Sequence, residues 1–166
     1  EMKCPLTAVP QKPIMAMVKG ILLGEVVGGL AVLGRKTGWR NTFEGERKAS
    51  VQFEYNEKRI DLRPDGLLFM NNEEADIETP LFIELDDSTL NLDHFLGKAV
   101  QYNSYFVSMA WTDRFEQFPH VAVVVCGVAS SAAKRQSKAD ARIQRIVAKV
   151  KGEGKWTQGY NWLFAR

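Results

Sequence analysis

The chain has 166 residues, 45% of them hydrophobic and 25% charged, with a formal net charge of +2. That size and balance suit one globular domain with a full core. Cys4 and Cys126 stand far apart in no metal-ligand or redox spacing, which excludes a disulfide framework and fits a reducing, cytoplasmic setting.

In chain order, residues 1–13 hold three of the six prolines and no periodicity, and read as an N-terminal arm or linker. Residues 14–166 read as a single domain. Residues 14–36 place Leu22, Val26, Leu30 and Leu33 at helical spacing. Gly20, Gly24, Gly28 and Gly29 in that helix suggest close packing against another element. Residues 14–33 have the length of a membrane span. Lys19 and Glu25 would each cost about 2.5–3.5 kcal/mol in hydrocarbon, so no membrane segment is expected.

Residues 50–55 alternate as a half-buried strand does, 56–58 read as a turn and 59–62 as a second short strand. Residues 67–70 form an apolar strand, 71–79 a loop and 81–85 a buried strand, so a meander of hairpins is expected. Residues 92–109 read as a helix whose apolar side is Leu92, Phe95, Leu96, Ala99, Val100, Phe106 and Val107. Residues 121–126 are almost wholly apolar and β-branched, the pattern of an interior strand in parallel pairing. Residues 134–150 are amphipathic, with Ala139, Ile143, Ile146, Val147 and Val150 inward and the bases outward. Residues 161–164 suit a last short strand. The fold class is therefore α/β, a mixed β-sheet flanked by helices.

Charge is segregated along the chain. Residues 73–93 carry eight acids and no Lys or Arg, whereas 131–166 carry nine bases against Asp140 and Glu153. An acidic centre beside a basic flank suits a metal site next to a polyanion surface, and equally suits two solvated faces of opposite sign.

The acidic centre has internal order. Arg63-Pro64-Asp65-Gly66 leads into Leu67-Leu68-Phe69-Met70, and a second apolar strand ends Phe82-Ile83-Glu84-Leu85-Asp86. Glu84 and Asp86 share a face of one strand, and Asp65 starts its neighbour. In suitable register Asp65 and Glu84 converge, and with a backbone carbonyl such as that of Leu85 they offer a hard divalent cation the oxygen ligands it prefers. His94, Lys98, Tyr102 and Tyr105 follow on one helical stripe. Lys98 is the candidate catalytic cation. Tyr102 suits either a phosphate contact or a half-buried core tyrosine. Pro-Asp-Gly also occurs as a plain turn, and Asp86 and Asp87 could simply precede a helix capped by Thr89 or Asn91.

This succession resembles the plasmid replication-relaxation protein family. That family shows a Pro-Asp-Gly strand, a Glu-x-Asp-x-x-Thr element and a helix with Lys-x-x-x-Tyr, here Lys98 to Tyr102. Leu22-Leu23-Gly24-Glu25, Trp39 and Glu44 or Glu46 loosely echo its earlier positions. The family is similar to the PD-(D/E)XK nuclease superfamily. The resemblance implies a restriction-endonuclease-like αβββαβ core and Mg²⁺- or Mn²⁺-dependent endonuclease cleavage of DNA by a plasmid or mobile-element protein. It implies Asp65, Glu84 and Lys98 as catalytic, Asp65, Glu84 and Asp86 as metal ligands, and Glu25 and Tyr102 as accessory. The bases Lys134, Lys138, Arg142, Arg145 and Lys149 would then contact nucleic acid, or form a solvated helix surface. The superfamily places Lys two residues after the second acid, where this chain has Asp86, so Lys98 would have to substitute. The alternative is a catalytically inactive module of that fold that binds DNA or assembles a replication or transfer complex with a protein partner or a second copy. Members often carry an upstream winged-helix domain, and the start at Glu1 is consistent with its removal.

Overall fold

The computed structural model describes residues 11–86, 92–126, 131–152 and 162–165. Of the arm expected at 1–13, residues 1–10 lie outside the described residues, as do the capping positions Asp87, Thr89 and Asn91, and residues 11–13 belong instead to the first helix. The first helix, α1 (Gln11–Thr37), packs on one sheet face through residues 22–30. It leads into β1 (Arg40–Gly45), the short helix α2 (Glu46–Ala49) and a two-stranded ribbon of β2 (Val51–Tyr55) and β3 (Lys58–Leu62). Then come β4 (Gly66–Asn72), β5 (Ile77–Asp86), α3 (Leu92–Val107), β6 (His120–Val125), α4 (Ala132–Gly152) and β7 (Trp162–Ala165).

The main sheet has the order β1-β4-β5-β6-β7. β1, β4 and β5 form an antiparallel meander, and β5, β6 and β7 run parallel, joined through α3 and α4. Strand alternation divides the core between the two faces. Leu68, Leu81, Ile83, Leu85 and Val124 meet Leu22, Leu23, Val26, Val27 and Leu30 of α1. Leu67, Phe82 and Val121 meet Tyr102 and Tyr105 of α3, while Val123 and Val125 meet Ala139 and Ile146 of α4. Each large apolar side chain hidden this way contributes about 1.5–3 kcal/mol. β6 is interior, flanked by parallel neighbours and covered on both faces, as its apolar run predicts.

Several expectations change. The sequence does not predict the strand β1, because Arg40-Asn41-Thr42-Phe43-Glu44-Gly45 has a single large apolar residue. Its inward Asn41 donates instead to the Leu30 carbonyl at the end of the α1 packing stripe, 2.8 Å away. The region read as a loop at 71–79 is mostly strand, because β4 and β5 stay paired out to Asn72 and Ile77. The 50–62 hairpin stands apart from the main sheet as a ribbon packed on the α3 side. Its turn holds Asn56 and Glu57 at φ of 50° and 61°, the left-handed pair that a two-residue hairpin loop uses.

On α1, a Cβ at Gly20, Gly24, Gly28 or Gly29 would meet open space, so these glycines mark no close packing. Gly34 does, with the Trp39 carbonyl 2.6 Å from its would-be Cβ. Leu33 on α1 and Val100 and Val107 on α3 are exposed rather than inward. Among the described residues no helix is long and apolar enough to cross a membrane.

Candidate metal and phosphate site

Asp65 is placed by the start of β4. Gly66 pairs with Ile83, and a Cβ on Gly66 would lie 2.4 Å from the Phe43 ring. Only glycine lets β1 and β4 close at that point. One further step of the same antiparallel register sets Asp65 opposite Glu84. The Asp65 carboxylate accepts the Leu85 backbone N–H at 2.8 Å, which fixes it at the edge of β5.

Glu84 is 5% exposed and faces α3. Lys98 forms an ion pair with its Oε2, and the Tyr102 hydroxyl donates to its Oε1 at 2.6 Å. Both donors come from successive turns of α3, so the stripe expected from spacing points at this carboxylate. Tyr102 is wholly buried rather than at a rim. Its ring is wedged between Phe82, 5.5 Å away, and Trp162, 5.6 Å away at right angles. Tyr105, one turn on, belongs to the core, and burial pushes its phenol up to about 12.

Burial pushes the Glu84 carboxyl up to about 7; Lys98 works against that rise, and the Asp65 carboxylate adds to it. Lys98 and Tyr102 therefore leave Glu84 short of positive charge. Two carboxylates from adjacent strands, one of them buried and under-compensated, fit a hard cation.

Asp86 shares the inner face of β5 but does not share this environment. It is gripped by Arg142 of α4, with Nε 2.9 Å from Oδ2 and Nη2 3.5 Å from Oδ1, and both side chains are buried. Asp86 is thus held by a guanidinium on the strand face it shares with Glu84. One expectation changes. Arg142 is 4% exposed and so is not on the outward basic face with Lys134, Lys138, Arg145 and Lys149, which are exposed. The spacing carried the signal: Ala139, Arg142 and Ile146 follow at steps of three and four along the inward stripe. Asp86 and Arg142 had opposite charges and inward positions, but sequence alone does not pair them. Glu25 is exposed on α1, across the sheet from Glu84, because α1 covers the odd-numbered face of β5.

Glu84, Leu85, Asp86, His94, Phe95, Lys98, Val123 and Arg142 line a cleft of about 50 Å³ at the C-terminal end of β5. That is room for a few waters or a hydrated ion, and far less than a drug-sized ligand needs. Among the described residues no group of three or more His, Cys, Asp or Glu side chains is gathered as a metal cage. Glu84 and Asp86 are the carboxylates of this cleft, and Asp65 lies outside its lining; a cation held by Asp65 and Glu84 would take further ligands from backbone carbonyls and water. Comparison with protein-family models, curated proteins and solved structures returns no match.

Proposed function

We propose that the chain is a nuclease-like domain acting on DNA, a Mg²⁺- or Mn²⁺-dependent phosphodiesterase of the restriction-endonuclease-like class, in keeping with the replication-relaxation resemblance. The observation that carries this reading is the meeting of Asp65 and Glu84 across adjacent strands, with Lys98 on Glu84. The order α1-β1-β4-β5-α3-β6 supports it, being αβββαβ once α2 and the β2–β3 ribbon are set aside as an insertion.

Asp65, Glu84 and the Leu85 carbonyl would hold the cation. When bound, it would supply Lewis acidity to a phosphodiester. Tyr102 fixes the rotamer of Glu84. Lys98, a quarter exposed, keeps a mobile positive charge beside the site and can turn to a phosphate oxygen once a cation takes over its role on Glu84.

The test is cleavage of supercoiled and single-stranded DNA with Mg²⁺ or Mn²⁺ by the full chain. Glu84→Gln is expected to lower the rate by about 10³-fold or more, the several kcal/mol that such charge stabilisation supplies, and Lys98→Ala to lower it by a smaller factor. Cleavage that survives both substitutions removes the site from consideration.

A second reading has its own observation. Asp86 stands where the superfamily places lysine and is tied to Arg142, so the domain could be an inactive module that binds DNA within a replication or transfer complex. Binding without cleavage in either metal selects this reading.

A further inference from the structure

A hollow of about 770 Å³ is lined by Glu46, Arg47, Ser50, Gln52, Asp61 and Arg63. The path of the chain sets it beside Asp65. Gly45, the last residue of β1, pairs with Gly66, the first of β4, so α2 lies at the end of the sheet where Asp65 stands. Val51 pairs with Leu62, which brings the open end of the ribbon to the same place. One wall is α2 with Ser50. The other is formed by Gln52 and Asp61, partners across the ribbon, and runs on through Arg63 towards Asp65.

Arg63 is fixed from both sides. Leu62 and Pro64 are fully buried, which anchors the backbone before and after it and leaves its side chain, 63% exposed, to project. Its Cα lies no more than about 7 Å from that of Asp65, the reach of two extended residues. Its Nε donates to Asp61 Oδ2 at 2.7 Å, and its Nη2 donates to the same oxygen. A guanidinium has five N–H donors in a rigid fork. Asp61 takes the Nε side of the fork, which leaves Nη1 and the second hydrogen of Nη2 for another acceptor. Arg63 holds the Asp61 carboxyl below its ordinary value, with a smaller effect in the same direction from Arg59. Asp61 therefore stays ionised and keeps its grip. Arg47 is exposed on the α2 wall.

The chemistry of the lining selects the occupant. No apolar side chain is among the six, whereas small-molecule pockets are mostly apolar and protein interfaces are built on aromatic anchors. Glu46 and Asp61 offset Arg47 and Arg63 in formal charge, so the hollow is no diffuse cationic surface. It offers two separate guanidiniums, the group that matches phosphate oxygens in a bidentate fork.

We propose that this hollow holds the backbone of the nucleic-acid strand that reaches Asp65: Arg63 takes the phosphate next to the one at the metal site, Arg47 takes a further phosphate, and Asp61 orients the Arg63 guanidinium. The inference rests on the nuclease-like reading for the identity of the strand. It makes Arg47 and Arg63 substrate contacts and Asp61 a positioning residue.

The test measures binding in EDTA, so that cleavage plays no part. The full chain is titrated against a fluorescent duplex of about 20 base pairs over a range of salt, where each lost phosphate contact flattens the slope of log K against log[salt] by about 0.9. Arg47→Gln with Arg63→Gln is expected to weaken binding at least about tenfold at low salt and to flatten the slope by about 1.8. A charge-matched double at the far end of β1, Arg35→Gln with Lys36→Gln, should leave both values unchanged. Asp61→Ala removes a negative charge, so a purely electrostatic role expects tighter binding; an orienting role expects weaker binding. All four basic positions are exposed and exposed ion pairs add little to stability, so melting temperatures should stay near the wild-type value. Equal losses in the two doubles, an Arg47 and Arg63 double that binds like wild type, tighter binding by Asp61→Ala, or a wild type that does not bind the duplex overturns the inference. A wild type that binds through both arginines but cleaves nothing in either metal removes the nuclease reading and leaves the grip in place. Cleavage at the wild-type rate by the Arg47 and Arg63 double does the reverse.

Discussion

Glu84 and Asp86 stand two residues apart on one strand, face the same pair of helices and are almost equally buried, at 5% and 7% exposure. Their partners differ. Asp86 meets a rigid guanidinium edge that is itself buried, the geometry suited to holding a carboxylate permanently. Glu84 meets a flexible, partly exposed lysine and a tyrosine hydroxyl, with a second carboxylate opposing it. The difference teaches that burial alone does not mark a functional acid. What marks Glu84 is burial with too little compensation, a condition a bound cation would relieve.

The largest way to break this comparison is Arg142→Met. It leaves Asp86 buried without its partner and should cost about 3–5 kcal/mol in urea unfolding. Adding Asp86→Leu should return most of that loss, because apolar side chains often replace a buried ion pair without penalty. Lys98→Met is the matched substitution on the other side. At pH 6 it should cost less than about 2 kcal/mol, since Lys98 is near solvent and Glu84 can take up a proton in its absence. Equal costs for the two substitutions would erase the distinction between a structural and a functional carboxylate.

The pH dependence sharpens it. The folded protein holds a proton on Glu84 up to about 7, against an ordinary value of 4.5. The folded state binds that proton more tightly than the unfolded chain does. The stability it contributes is whole below 4.5 and is lost as pH rises through about 7. Glu84→Gln removes the ionisation, so its stability relative to wild type should grow by roughly 2–3 kcal/mol between pH 5 and pH 8. Mg²⁺ at pH 8 should raise the wild-type melting temperature and leave that of Glu84→Gln unmoved. A gap between the two proteins that stays constant with pH would place Glu84 with Asp86 as an ordinary paired acid.

The sequence made the inner strands legible because their signal is dense. The alternation around Phe82, Glu84 and Asp86 fixed a shared face, and the unbroken run at 121–126 required cover on both sides. The stripe His94, Lys98, Tyr102 likewise pointed at one place. Elements held by backbone pairing and a polar contact, with little apolar patterning, are not legible. β1 has one large apolar residue and an inward asparagine that finds a carbonyl eleven residues back. The role of Trp162 was equally hidden, since a tryptophan in a short last strand gives no hint that its ring pins Tyr102. Arginine is seldom buried, so its sequence context sets Arg142 among the outward bases. Its partner lies 56 residues away, beyond what local periodicity reaches.

The smallest test concerns Tyr102→Phe. The substitution keeps the ring between Phe82 and Trp162 and removes only the hydroxyl that donates to Glu84. A hydrogen bond to a charged group contributes about 1.5–3 kcal/mol and one to a neutral group about 0.5–1.5. The loss should therefore depend on the state of Glu84, near the lower range at pH 5, where the carboxyl is protonated, and near the upper range at pH 8. Unfolding midpoints at the two pH values separate this from a packing role, which would give the same loss at both. A pH-independent loss would mean that Tyr102 serves the aromatic core alone, and that the rotamer of Glu84 is set by Lys98.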